Sequence, residues 1–389
     1  MSVNAPKGFV AVGGYAGIKS GKVHDVAVVA TADGRAVPAA GVFTANLAAA
    51  APVQVSRAHL TATGGRAAGV ILTSGNANAA TGAPGRAAAE RLCRAVAGDI
   101  GATAEEVLVC QTGLIGIPFP IEAVLPEIEP IVMARTSRPE AASQAARAIM
   151  TTDTVPKEVV VAGDGFTVGG MAKGAAMLAP DMATMLALCT TDAAVDAATL
   201  QTALRDAVDA SFNAMTVDAA TSTNDTVLVL ANGLGATPSP GALTAALTEA
   251  CRSLAEQMVD DAEGATKVSH VHVRGAVSDE AAHVAARKVA DSLLVKCSLF
   301  GGDPYWGRVV SELGSAGTPF DIDRVAVSYG GTVVCAGGVA VPHDGTAVAA
   351  HMAGRHVVLE CDLGLGAGAA VVLGTDLGYG YIDENRTTS

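Results

Sequence analysis

Short β-branched runs alternate with amphipathic stretches along almost all of this 389-residue chain, and that alternation leaves few architectures open. The strand signals are Val26–Ala30, Gly69–Thr73, Val107–Cys110, Glu158–Ala162, Thr226–Leu230, Val268–Val273, Arg324–Ser328 and Val357–Cys361. Between them Pro84–Val96, Arg138–Met150, Asp196–Phe212, Leu243–Met258 and Ala281–Leu294 carry apolar residues at three- and four-residue spacing, several opening at a helix-start residue such as Ser137 or Asp196. Interleaving of this kind predicts an α/β or α+β fold with mixed sheets packed against helices. Half of the residues are apolar but only 3% are aromatic, so the interior has to be built from Ala, Val, Leu and Met, with 44 glycines permitting close backbone approach. Gly233–Pro240 is the clearest surface loop.

Charge and cysteine usage narrow the function. Acidic residues outnumber basic ones 38 to 25, and no basic run is present, which argues against a nucleic-acid partner. The first residues lack the charged start and apolar stretch of a secretory signal, and no apolar stretch is long enough to span a bilayer. Seven scattered cysteines without a Cys-x-x-Cys pair fit reduced, mostly buried thiols. The expectation is a cytoplasmic protein without a membrane segment.

One segment points to chemistry. In Met171–Leu188 an apolar stretch is interrupted by Pro180 and Asp181 and contains the pair Ala183-Thr184. A threonine hydroxyl needs a base beside it, and a threonine at a chain start has one in its own α-amine, which titrates at about 7.7–8.0. Thr184 reaches that state only if the bond after Ala183 breaks, and Ala183 leaves the approach of the hydroxyl open. Self-cleavage would give two interlocked chains, 1–183 and 184–389. Apolar continuity on both sides of the bond places it inside a shared core, in a molecule of two lobes.

The separated strings Gly75-Asn-Ala-Asn-Ala-Ala-Thr-Gly82, Gln111-Thr-Gly-Leu-Ile-Gly116, Ala148-Ile-Met-Thr-Thr-Asp-Thr-Val-Pro-Lys157, Lys173-Gly174 with Ala179–Leu186, Asp261-Ala-Glu-Gly-Ala-Thr-Lys267 and Asp303-Pro-Tyr-Trp-Gly-Arg308 stand in one order over nearly the whole chain. Together they resemble the ornithine acetyltransferase family, the glutamate N-acetyltransferases of arginine biosynthesis. The resemblance implies cleavage between Ala183 and Thr184, with Thr184 as nucleophile. It implies a ping-pong transfer of an acetyl group from N2-acetylornithine to glutamate through an acetyl-threonine ester, with Thr112 and Gly113 as the oxyanion hole. The residues themselves place this pair in a glycine-bearing turn after the strand Val107–Cys110. Substrate-binding residues carried over are Thr151 (Thr152 being the alternative), Lys173, Thr184, Glu263, Asn385 and Ser389 (with Thr388 the alternative). Lys173 suits a carboxylate, being the one charge in an otherwise apolar Gly169–Leu178, and Glu263 suits either an ammonium group or assistance to proton transfer. The resemblance implies no metal and no cofactor. Some relatives use acetyl-CoA as a second acetyl donor, and the cleaved chains pair as two α and two β chains.

Two departures from the family pattern stand out: Tyr305 where the family string has Asn, and an ending, Arg386-Thr-Thr-Ser389, without the usual aromatic residue. Other readings are weaker. An N-terminal-threonine amidohydrolase or aminopeptidase would share the nucleophile and give the acyl group to water. Gly13-Gly-Tyr-Ala-Gly-Ile-Lys-Ser20 has Ile18 where a phosphate loop needs glycine. His270 and His272 share a strand face, with no further ligand pair nearby to complete a metal set.

Overall fold

Residues 2–177 and 185–386 are described by a computed structural model of the chain. Ala183, Thr184, Thr388 and Ser389 lie outside them. The chain forms two compact units, one of Met1–Asn213 with Ala220–Met258, the other of Ala214–Ala219 with Val259–Ser389.

The first unit contains two sheets. One is ordered β1-β2-β5-β6, from β1 (Phe9–Gly14), β2 (Val26–Thr31), β5 (Gly69–Asn76) and β6 (Val107–Leu114); its β5–β6 pair is parallel and the rest antiparallel. The other is ordered β4-β3-β10-β9-β8-β7, from β3 (Val37–Phe43), β4 (Arg66–Ala67), β7 (Lys157–Ala162), β8 (Thr167–Lys173), β9 (Leu186–Thr191) and β10 (Thr226–Ala231), with β9–β10 parallel. Alternation along the first sheet sorts its residues by face. Ala27, Val29, Val70, Leu72, Leu108 and Cys110 point to a core shared with Met171, Leu186, Leu188, Leu228 and Leu230 of the second sheet. Val26, Val28, Ile71, Val107 and Val109 point the other way, onto α2 (Gly82–Ile100) and α3 (Ile121–Met133). The far face of the second sheet takes α5 (Ala197–Asp209) and α6 (Pro240–Asp260); a Cβ on Gly170 of β8 would lie 3.2 Å from Leu254. The order is helix, sheet, sheet, helix.

The expected mixed α/β class holds, and the expected shared core is narrower than anticipated. The cluster between the two sheets draws on both sides of the 183/184 bond, because β8 and β9 are antiparallel neighbours in one sheet. The second unit has a cluster of its own. Its sheet runs β14-β13-β12-β15-β11-β16, from β11 (Val268–Ala276), β12 (Ala326–Tyr329), β13 (Thr332–Ala336), β14 (Val339–Ala340), β15 (His356–Asp362) and β16 (Gly368–Thr375). One face buries Val271, Val273, Leu359 and Val372 against α7 (Asp279–Asp291) and its neighbours. The single helix expected over 281–294 is two. Ser292 is extended (φ −64°, ψ 117°) and accepts from Val295 N–H at 3.3 Å, capping α8 (Leu293–Gly301). Likewise Arg138, ahead of Pro139, rather than Ser137 caps the helix Pro139–Ala148. No described helix is long and apolar enough to cross a membrane. Six cysteines are buried free thiols and Cys297 is exposed.

Candidate active site

Thr112 and Gly113 were expected in a turn after a strand; they belong to β6, which runs on to Leu114. Their partners in the parallel register are Ser74 and Gly75 of β5. Both glycines have positive φ, +128° at Gly113 and +106° at Gly75, and a Cβ on Gly113 would stand 2.3 Å from the Gly75 carbonyl carbon. The strand ends therefore approach more closely than side chains allow. The asparagine string beyond β5 locks this end. Asn76 Nδ2 donates to the carbonyls of Ile117 and Pro118, and Asn78 Nδ2 donates to Gln111 Oε1 at 2.8 Å. These motif residues are a scaffold for the strand end.

Lys173 closes β8 with its side chain buried, and its ammonium donates to Thr112 Oγ1 at 3.3 Å. A lysine is a donor only, so this bond uses a lone pair of the hydroxyl and leaves the O–H proton to be donated elsewhere. No acceptor among the described residues takes that proton. A cation on its oxygen also strengthens the hydroxyl as a donor. The pair is suited to stabilising negative charge that develops on a ligand oxygen.

A carboxylate absent from the predicted set stands behind Lys173. Asp153 accepts from Lys157 Nζ (2.6 Å), from Gly174 N–H (2.7 Å) and from Thr151 N–H (3.0 Å). The side chains of Asp153 and Lys157 are both fully buried. Burial pushes the Asp153 carboxyl up, but Lys173, Lys157 and the Gly174 amide together outweigh it and hold the carboxyl below its usual range. Thr151 itself is exposed beside this group, as is Thr152.

Two further buried carboxylates border the site. Asp25 accepts from the backbone N–H groups of Ala16 (2.7 Å), Ile18 (2.7 Å) and Lys19 (3.0 Å), so the glycine-containing loop at 13–20 is wrapped around a carboxylate of its own chain. Lys19 Nζ donates to Met150 O at 2.6 Å; desolvation lowers its pKa to about 8, Lys173 adding to the shift and Asp25 and Asp153 opposing it. Asp225 accepts from Met185 N–H at 2.9 Å, the amide directly after Thr184, while its other oxygen is buried without a partner among the described residues. Burial raises the Asp225 carboxyl well above its usual range. Asp153, Lys157, Asp25 and Asp225 escaped the sequence reading, although Asp153 and Lys157 lie in a quoted string at a spacing of four.

In the second unit, Glu263 and Asn385 are brought together. Asn385 Nδ2 donates to Glu263 Oε2 at 2.8 Å and to Tyr381 O at 3.0 Å. The C-terminal helix Tyr379–Asn385 is docked on the turn carrying Glu263, since a Cβ on Gly264 (φ +63°) would fall 2.1 Å from Tyr381 N. Tyr381 Oη donates to Asp218 Oδ2 at 3.1 Å. Tyr305, the departure from the family string, is exposed, with the Arg308 guanidinium 5.6 Å from its ring centroid. His270 Nε2 lies 3.2 Å from His356 Nδ1, and the described residues contain no group of three or more side chains able to hold a metal.

The first unit is thus a four-layer α/β body whose sheet ends hold a lysine-polarised hydroxyl over an ionic network, an arrangement suited to stabilising negative charge on a ligand oxygen. Comparison with known proteins gives the family: the chain belongs to the ArgJ family, whose sequence model matches residues 10–387. It is 47% identical over 396 residues to the arginine biosynthesis bifunctional protein ArgJ of Mycolicibacterium paratuberculosis, covering 100% of this chain and 96% of the relative. The protein of that description from Thermobifida fusca is 42% identical over 390 residues, covering 100% of both chains. Among solved structures, the ornithine acetyltransferase of Mycobacterium tuberculosis complexed with ornithine matches at 43% identity and a TM-score of 0.44, over 46% of this chain and 94% of that one.

Proposed function

We propose that this chain transfers the acetyl group of N2-acetylornithine to glutamate, with Thr184 as the nucleophile after self-cleavage following Ala183. The chain is an acyltransferase of the arginine-biosynthetic type by its family and by its curated relatives. The finer reading is supported chiefly by the bond from Lys173 to Thr112, which leaves a polarised hydroxyl proton for an oxyanion.

In the proposed cycle the Thr184 hydroxyl attacks the acetyl carbonyl while its α-amine takes the proton. The Thr112 hydroxyl and the Gly113 N–H receive the negative charge of the tetrahedral oxygen. Collapse breaks the C–N bond, the α-ammonium returns the proton to the leaving amine, and ornithine departs from an acetyl-threonine ester. The amine of glutamate then attacks that ester, giving N-acetylglutamate and restoring Thr184. Lys173 holds the substrate carboxylate and Thr151 supports the same amino-acid head. Glu263, Asn385 and Ser389 complete the proposed binding set, Glu263 toward the ammonium group. The reaction as drawn uses no cofactor, acetyl-CoA being a second donor in a bifunctional enzyme. The proposed working form is two α and two β chains in the cytoplasm.

The test is glutamate acetylation with each donor separately. Formation of N-acetylglutamate from N2-acetylornithine is expected, and added activity with acetyl-CoA would make the enzyme bifunctional. Release of free acetate at a rate indifferent to glutamate would replace the transferase with an amidohydrolase.

A further inference from the structure

Asp153 makes three close contacts, and two of them lead to different parts of the proposed substrate cradle. Its Oδ1 accepts from Gly174 N–H at 2.7 Å, the amide after Lys173, and from Lys157 Nζ at 2.6 Å; its Oδ2 accepts from Thr151 N–H at 3.0 Å. Gly174 has φ +154°, so the chain leaves β8 in a conformation that this bond helps to fix. The loop at 151–157 and the end of β8 meet through this one carboxylate. An ion pair alone would need only Lys157; the two backbone bonds are additional and directional.

We propose that Asp153 is the positioning residue of the amino-acid cradle. Through Gly174 it sets where the Lys173 side chain leaves β8. Through the Thr151 amide it sets the loop that carries the substrate-binding threonine. The buried ion pair with Lys157 keeps this carboxylate charged and in place. The inference rests on the proposed roles of Lys173 and Thr151, and it assigns Asp153 an effect on substrate affinity that is separable from its effect on stability.

Three variants test it: Asp153→Asn, Lys157→Met and the double variant. Asp153→Asn is expected to raise KM for N2-acetylornithine and glutamate together by about tenfold while kcat falls less than about threefold, the pattern of lost binding rather than lost chemistry. It also lowers Tm, because Lys157 loses its buried partner. The double variant removes both charges, so Tm recovers toward wild type while KM stays raised. Recovery of KM and Tm together in the double variant would make Asp153 a plain structural residue and overturn the proposal, as would a KM within about twofold of wild type in Asp153→Asn. Should Asp153→Asn not fold, the charge-balanced double variant carries the measurement. Calorimetric binding of glutamate separates this inference from the reaction. A wild-type protein that binds glutamate without transferring acetyl contradicts the proposed reaction, and Asp153 is then judged on Kd by the same criteria. A wild-type protein that neither binds nor transfers overturns both.

Discussion

At the end of β8 the buried ammonium of Lys157 meets a carboxylate, Asp153, with Lys173 close enough to stabilise the same charge. In the second unit the buried ammonium of Lys296 meets backbone instead, donating to Val217 O and Thr375 O at 2.9 Å each. The outcomes differ in which form is favoured, the charged one at Asp153 and the neutral one at Lys296. Asp153 is held ionised against its burial. At Lys296 desolvation prevails over the more distant Asp291, Asp218 and Asp376, and the pKa falls to about 8. Carbonyls satisfy the donors of an ammonium without supplying a counter-charge, whereas a carboxylate supplies both. The first region keeps a fixed charge where an anionic ligand is proposed to bind; the second ties the start of α8 to the 214–219 segment and the end of β16.

The comparison is broken most severely by Lys157→Met. Removing one partner strands a buried carboxylate, so unfolding free energy falls by about 3 kcal/mol in urea denaturation. Lys173→Met comes next: loss of the proposed charged contact to substrate and of the polarised hydroxyl lowers kcat/KM by about 100-fold in steady-state assays. Lys296→Met leaves two carbonyls without their donor and costs about 2 kcal/mol at neutral pH. It also changes the pH dependence of stability. The folded-state pKa of Lys296 is depressed, so between about 8 and the unfolded value near 10.5 the unfolded chain binds more protons. The wild type therefore gains stability as pH rises through that window and loses it as pH falls through 8. Urea titrations at pH 8, 9 and 10 should show a wild-type slope exceeding that of Lys296→Met by on the order of 1 kcal/mol per pH unit. Equal slopes would erase the contrast between the two regions.

The legible parts of this chain were those whose residues announce their surroundings locally. β-branched runs marked β2, β7, β10 and β15 to within a residue at each end, and β5 and β11 from their first residue but short of their ends. They missed β8 and β9, where Gly, Ala, Met and Leu are buried on both faces and neither alternate nor branch at Cβ. The helix Ile121–Met133 carries Pro126 and Pro130 and was masked by them. Lys173 was visible as one charge in apolar surroundings. Asp153 and Asp225 were not, because their hydrogen bonds to Gly174 and Met185 span 21 and 40 residues. The glycine of Thr112-Gly113 suggests a turn. The asparagine scaffold beyond β5 and the pairing with Ser74-Gly75 keep it in the sheet.

The position of β8 and β9 as adjacent strands, joined across the Ala183-Thr184 bond within one sheet, makes chain processing the point on which the proposed chemistry turns. The most direct measurement is the intact mass, under denaturing conditions, of freshly purified wild type beside Thr184→Ala. The account predicts two wild-type fragments, the second starting at Thr184, and a single full-length chain for the variant. A single full-length wild-type chain would leave Thr184 without its α-amine and contradict the mechanism.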